Sequence, residues 1–367
     1  MRKHYLDNIK WTVQILVVLY HLFFMYASSE ISIPSVYGQI TKEPFVFGDI
    51  CQYAVYPWFM TVLFIVSGIT SKIYLDNHTD KEFVKSRTTK FLVPSTLGIL
   101  AFGYVQGYLN MALSEGAFDS VKELPAIVKY LIMCVSGTGV LWFLQVLWVL
   151  SIVLVIVRKI EKGHLWKVCS KTNIVILFLL AVPFYGAGLI LNTPIITVYR
   201  MGLYGIAFFS GYFIFSHEEV IERIKRYLPL FAVSAAATGI LFCVINYGEN
   251  YATAPVNRTI VYAFFAYYMS VTVLAFAAKF MDFRTDFTSW MSKRSFGLYV
   301  FHYLGLSAVA VFIAGKFDLP AVVIYILSAI SAFGGALLLN AIISRIPFFR
   351  FAILGIKKEK VRKDVKG

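Results

Sequence analysis

The sequence predicts an all-α polytopic integral membrane protein of about ten transmembrane helices with both termini in the cytoplasm. Three observations carry this. Of 367 residues, 59% are hydrophobic and only 15% charged, with a mean hydropathy of +0.72, more apolar surface than one water-soluble core of this size can enclose. Ten apolar runs of about 17–25 residues, each bounded by charges, Pro or Gly, match the thickness of a hydrocarbon layer. With these runs threaded in order, 28 of the 34 Lys and Arg fall at the ends and loops of one side, and six (Lys42, Lys122, Lys129, Arg200, Arg258 and Lys316) fall on the other. That asymmetry makes the first side cytoplasmic and the location a cell membrane. It also removes nucleic acid as a partner despite the +14 net charge, because the cations occupy short loops rather than one soluble face.

Taken in order, the first run is 11–27. It follows Met1-Arg2-Lys3 and ends at Ala27-Ser28-Ser29, features shared with a cleaved signal peptide. Its length and the interruptions Thr12, Gln14, Tyr20 and His21 mark it instead as a retained helix. Runs 53–71 and 91–110 come next. The segment 121–135 has helical spacing at 121, 124, 127, 128, 131 and 132 but not spanning length, which predicts an interfacial or re-entrant helix roofing the outer mouth. Runs 140–157, 173–191, 197–215, 228–246, 259–278, 296–314 and 320–343 complete the set. One transmembrane domain, 1–350, is expected, with a basic cytoplasmic tail at 351–367 that fixes orientation or touches anionic headgroups. Between the spans the longest segments are 28–52 and 111–139, both external. The cysteines at 51, 134, 169 and 243 lack metal-ligand spacing, so no metal site is expected; Cys51 and Cys134 share the outer side and are the one conceivable disulfide. Phe64-Ile65-Val66-Ser67-Gly68 and Phe208-Phe209-Ser210-Gly211 share an aromatic-Ser-Gly pattern of the kind that small residues form at helix contacts.

Four constellations bear on chemistry. Lys10 and His21 are eleven residues apart, about three turns, which puts them on one helical face ~16 Å apart along the axis. Gln14 shares the stripe. An imidazole near the middle of the hydrocarbon is costly to keep and points to function, although a hydrogen bond to a neighbouring helix, with Lys10 snorkelling to headgroups, is the plain alternative. In Lys85-Ser86-Arg87-Thr88-Thr89-Lys90-Phe91-Leu92-Val93-Pro94, Arg87 and Lys90 share one side of a helical approach beside Lys10. Three cations there suit a polyphosphate, or serve topology alone. Trp142, in Leu141-Trp142-Phe143-Leu144, fits an interfacial aromatic belt. Tyr299 and His302 are three apart on one helical face, where a structural hydrogen bond is the default for His302.

These four segments, in this order, resemble the membrane O-acyltransferases of acyltransferase family three, which includes glycan acetylases and glucan succinylases of bacterial envelopes. The basic residue, ten residues and histidine of the first span are Lys10 and His21; the Arg-x-x-Arg-Leu-x-x-Pro pattern is met by Arg87, Lys90, Phe91 and Pro94; Ser67-Gly68, the Leu-Trp-Phe-Leu run and Tyr-x-x-His complete the match. Lys90 and Phe91 are conservative departures from Arg and Leu, and two further positions depart from the pattern. Val140 stands where many members have His, and Thr61 where many have an acidic residue, so a carboxylate partner for His21 has to come from elsewhere, with Asp49 the candidate. The resemblance implies an acyl-CoA donor, acetyl-CoA first, with no permanently bound cofactor, and a glycan or glycolipid acceptor beyond the outer face. It implies His21 as the catalytic residue, with Lys10, Arg87 and Lys90 holding the coenzyme A phosphates and Gln14, Asp49, Trp142, Tyr299 and His302 as support. Direct transfer with His21 as general base and relay through an acyl-imidazole both fit. The rival class is a transporter or lipid-linked glycan exporter with His21, Tyr299 and His302 along its pathway. Such proteins tend to show paired, broken repeats, which are not clear here.

Overall fold

Inside hydrocarbon each backbone N–H and C=O must be paired within its own segment, so apolar runs become helices. The structure, a computed structural model, describes residues 3–27, 45–114, 119–192 and 199–357, and these form helices and turns without a strand. Most of the predicted external loop 28–52 and residues 358–367 of the basic tail therefore lie outside the described residues. Seven helices are long and apolar enough to cross a membrane: His4–Met25, Val46–Leu75, Gly139–Glu161, Leu228–Asn246, Ile260–Phe280, Asp286–Ala314 and Ala321–Ile343.

The other three expected spans take a shorter form, as the apolar helices Ile99–Leu113, Ile174–Ile190 and Met201–Phe213. Proline accounts for two of them. Pro183 has no N–H to bond Leu179 and its ring crowds that carbonyl, and the helix divides there into Ile174–Leu179 and Ala181–Ile190. Pro94 likewise separates the wide π turns Thr88–Leu92 and Ile99–Gly103. The segment expected to be interfacial forms an 11-residue helix, Ala126–Ser136, too short to span. It crosses Ile99–Leu113 closely, since a Cβ on Gly107 would meet the Met133 carbonyl oxygen at 1.9 Å.

The loops rich in Lys and Arg gather at one end. Arg158 pairs with Asp80, Lys3 with Glu218 at 2.5 Å, and Asn8 Nδ2 donates to the carbonyls of Met281 and Phe283 at 2.6 and 3.0 Å. The far end is joined by tyrosines. Tyr20 and Tyr251 hydroxyls lie 3.0 Å apart, Tyr53 donates to the Glu249 carbonyl at 2.6 Å, and Tyr26 bonds Ser328 at 2.7 Å. Between the ends, Val46–Leu75 meets Met201–Phe213 backbone to backbone. A Cβ on Gly68 would approach the Phe208 carbonyl oxygen to 2.0 Å, and one on Gly211 the Ile65 oxygen to 2.1 Å. The two aromatic-Ser-Gly segments are thus the two halves of one helix crossing. The four cysteines are free thiols.

The packing of the first helix positions the site. Tyr5, Ile9, Val13 and Tyr20 face one buried cluster, whereas Val18, Leu22 and Met25 face a second, built around Asp286–Val309 and the last helices. At ~100° per residue these faces are nearly opposite, and Lys10, Gln14, Val17 and His21 fall on the flank between them. The stripe therefore lies along the seam of two packed bodies rather than toward lipid.

After the last long helix, Pro347–Leu354 turns back against the basic end, with Ala352, Ile353 and Leu354 buried. Residues 351–354, which the sequence places at the head of the tail, are packed parts of the domain. Gly355 ends this helix at φ +64°, a left-handed conformation that favours glycine. A side chain there would also strike the Thr89 carbonyl, 2.6 Å from an added Cβ.

Candidate active site

His21 stands one turn before the end of the first helix at Met25. It is nearer the far end than the middle expected from the sequence, because the helix starts at His4, seven residues before the apolar run. Its Nδ1 lies 2.8 Å from the Val17 carbonyl oxygen and 3.2 Å from His302 Nε2. His302 is fully buried, and its own Nδ1 faces the Tyr299 and Leu298 carbonyl oxygens at 2.8 and 3.2 Å.

These contacts fix the tautomers. Carbonyl oxygens only accept, so His302 Nδ1 carries a proton, and in the neutral ring its Nε2 is a lone-pair acceptor. The hydrogen between the rings then belongs to His21 Nδ1. That leaves His21 Nε2 unprotonated and available as a base. His302, expected to make a structural bond to a neighbouring helix, makes it to the catalytic candidate itself. The ring of Tyr303 packs edge-on to His21 with centroids 5.3 Å apart.

His21 lines a cavity of about 390 Å³ with Tyr20, Tyr56, Trp142, Tyr204, Tyr299 and Tyr303, and with Asn110, Asn250 and Thr253 as polar groups. Trp142 stacks on Tyr204 at 5.5 Å and so forms part of the wall. Tyr299 donates its hydroxyl to the Val140 carbonyl, which braces the helix of His302 against the loop that borders the cavity. Gly139 opens that loop at φ +46°. Asp49 is buried and accepts from Gln52 Nε2 at 3.4 Å; Gln52 Oε1 accepts from Tyr251, which meets Tyr20. The carboxylate thus joins the cavity through a polar chain to Tyr20, while an imidazole occupies the place beside His21.

A second cavity of about 630 Å³ opens at the basic end, where Lys85, Lys90 and Lys357 share its lining with Tyr74, Phe91 and Phe296. Burial, and then the charge of Arg87, lower the pKa of the Lys90 ammonium. Arg87 itself is not on the lining. Its guanidinium donates to Ser71 Oγ at 3.2 Å and lies 4.8 and 5.2 Å from the rings of Phe83 and Phe91, and burial pulls its pKa down to about 10. Lys10 pairs with Asp7 at 3.5 Å and is likewise outside that lining. Of the three cations grouped from sequence, the structure puts Lys90 on the cavity, Arg87 behind it in an aromatic cage, and Lys10 on the seam of the first helix. Gln14, midway along that seam, has a buried Oε1 with no hydrogen-bond partner.

Sequence reasoning missed Lys85, Lys357, Tyr56, Tyr204 and the buried Arg200. Three of these carried a signal: Lys85 opens the basic approach, Lys357 lies in the basic tail, and Arg200 is one of six cations on the sparsely charged side.

The family model described as an acyltransferase domain matches residues 3–344. No curated protein and no solved structure matches the chain. The chain belongs to acyltransferase family three, which decides for an enzyme over a transporter.

Proposed function

We propose that this membrane acyltransferase takes an acyl group, acetyl first, from acyl-CoA at its basic, cytoplasmic end. It delivers the group to a hydroxyl of a glycan or glycolipid in the His21 cavity. The observation that carries the reading is the pair of imidazoles, which leaves His21 Nε2 with its lone pair beside a cavity of substrate size. A hydroxyl is a poor nucleophile at neutral pH. As its oxygen attacks the thioester carbon, His21 Nε2 accepts its proton and the carbonyl π pair moves onto oxygen. Collapse then breaks the C–S bond, and the departing thiolate takes the proton back from Nε2. Positioned proton transfer of this kind contributes ~10²–10⁴ in rate.

The remaining groups suit the substrates. Lys85, Lys90 and Lys357 offer charge-assisted donors to the phosphates of coenzyme A, beside rings on which its base can stack. The unpartnered Gln14 oxygen fits an amide N–H of the pantetheine arm. The aromatic wall with Asn110, Asn250 and Thr253 fits a sugar ring and its hydroxyls. The test is free-thiol release from acyl-CoA by the purified chain in lipid vesicles, with mass spectrometry of envelope glycans from cells carrying the intact or the His21→Ala gene. Release and a glycan acyl mass that both depend on His21 are expected. Uptake of a small molecule without thioester cleavage overturns the reading.

A further inference from the structure

Arg200 is a buried cation beside the His21 cavity that the mechanism above does not use. Its side chain is 2% exposed, and desolvating a guanidinium is costly unless its donors are engaged. They are engaged by tyrosines. Nη1 donates to the Tyr262 hydroxyl, and Nη2 to the Tyr56 hydroxyl at 2.7 Å and the Ala252 carbonyl at 2.8 Å.

A guanidinium can only donate, so each of these hydroxyls accepts from it and keeps its own hydrogen to give elsewhere. Among the described residues the Tyr56 hydroxyl makes no other hydrogen bond. Tyr56 and Tyr204 line the cavity of His21, whereas Tyr262 does not. On that wall the Tyr20 ring links Tyr56 and His21, with ring centroids 5.6 Å from Tyr56 and 5.0 Å from His21. A hydroxyl that accepts a charge-assisted bond becomes a stronger donor, and in a site walled from water that donor is worth more than in solution.

Acyl transfer places a full negative charge on the former carbonyl oxygen, and the mechanism above supplies a base but no group to meet that charge. We propose that Tyr56, polarised by Arg200, donates its hydroxyl hydrogen to the thioester carbonyl oxygen as the tetrahedral intermediate forms. Tyr56 is then a catalytic residue and Arg200 a positioning residue. No bond in the protein is made or broken; the tyrosine proton stays on its oxygen, and the bond slackens as the C–S bond breaks. This inference rests on the acyl-CoA reading of the His21 site.

The experiment measures thiol release from acetyl-CoA and succinyl-CoA by the full chain in native membrane vesicles, for wild type, His21→Ala, Tyr56→Phe and Tyr262→Phe. Melting temperatures of the purified proteins are taken alongside. Tyr56→Phe and Tyr262→Phe each delete one hydroxyl held by Arg200, but only the first deletes one on the cavity wall. Expected is a kcat lowered about 10²–10³-fold in Tyr56→Phe with KM within a few-fold, the cost of one oxyanion donor. Tyr262→Phe is expected to lose far less rate. Wild-type kcat in Tyr56→Phe, or equal losses in both variants with equal falls in melting temperature, overturns the inference and leaves the acyl-CoA reading intact. Release that survives His21→Ala, or none from either thioester in wild type, overturns that reading and this inference with it.

Discussion

The cavity at His21 and the cavity at Lys90 hold their polar groups by different means. At His21 the groups are neutral rings and hydroxyls, ordered through backbone carbonyls: Leu298 and Tyr299 hold His302, which holds His21, while Val140 holds Tyr299. At Lys90 the groups are three ammonium ions on flexible stems, with the single carboxylate of Glu82, around an open cleft. Inside a membrane a free charge is expensive, whereas a hydrogen-bonded imidazole can be kept and aimed. In the proposed reading, chemistry that depends on direction is therefore assigned to the first site, and attraction of an anion to the second. The contrast implies that the His21 region governs kcat and the Lys90 region governs KM for the donor.

The largest effect that can break this division is His21→Ala, expected to lower kcat about 10²–10⁴-fold while acyl-CoA binding, followed by calorimetry, stays near wild type. A parallel loss of binding would merge the two regions. Next comes His302→Leu. It removes the acceptor that shares the His21 Nδ1 hydrogen with the Val17 carbonyl, and with it part of the ring's aim, and is expected to cost about 10²-fold in kcat; His302→Gln, which restores an acceptor, should recover part of it, and equal rates for the two would show that His302 only fills space. Lys90→Gln is expected to raise the donor KM about tenfold with kcat unchanged, as for loss of one charge-assisted bond, and to flatten the dependence of KM on ionic strength. The smallest effect is on pH. In the proposed reading Lys90 holds the donor's anion only while protonated, and burial lowers its pKa from 10.5, so attraction is complete at low pH and fades before an ordinary lysine would lose it. The donor KM should begin to rise at a lower pH in wild type than in Lys90→Arg, and coincident profiles would remove Lys90 from the contact.

Legibility in the sequence followed the range of the interactions. The Lys10–Gln14–His21 stripe, the apolar helices and the approach through Lys85–Lys90 are local and follow from helical periodicity. The breaks at Pro94 and Pro183 are local too, but apolar length outweighed proline chemistry in the reading of 91–110 and 173–191 as continuous spans. The His21–His302 bond joins residues 281 positions apart, and no spacing rule reaches that far. Arg87 shows the limit from the other side. Its position beside Lys90 was legible, yet its burial by Phe83 and Phe91 depends on how the helix Asp80–Arg87 leans on its neighbours. The tyrosines around Arg200 come from three separate helices, and only folding assembles them.

A small cavity of about 30 Å³ adjoins the one at His21, sharing Gly139, Val140 and Tyr303 with its wall, and is bordered by Ile353 of the last helix. Room of that order holds about one water molecule and excludes a nucleotide. In the proposed reading a donor held at Lys90 would offer His21 its tail alone and withdraw the same way. Spent coenzyme A would then return to the compartment that supplied it, and the membrane would lose only the acyl group to the other side.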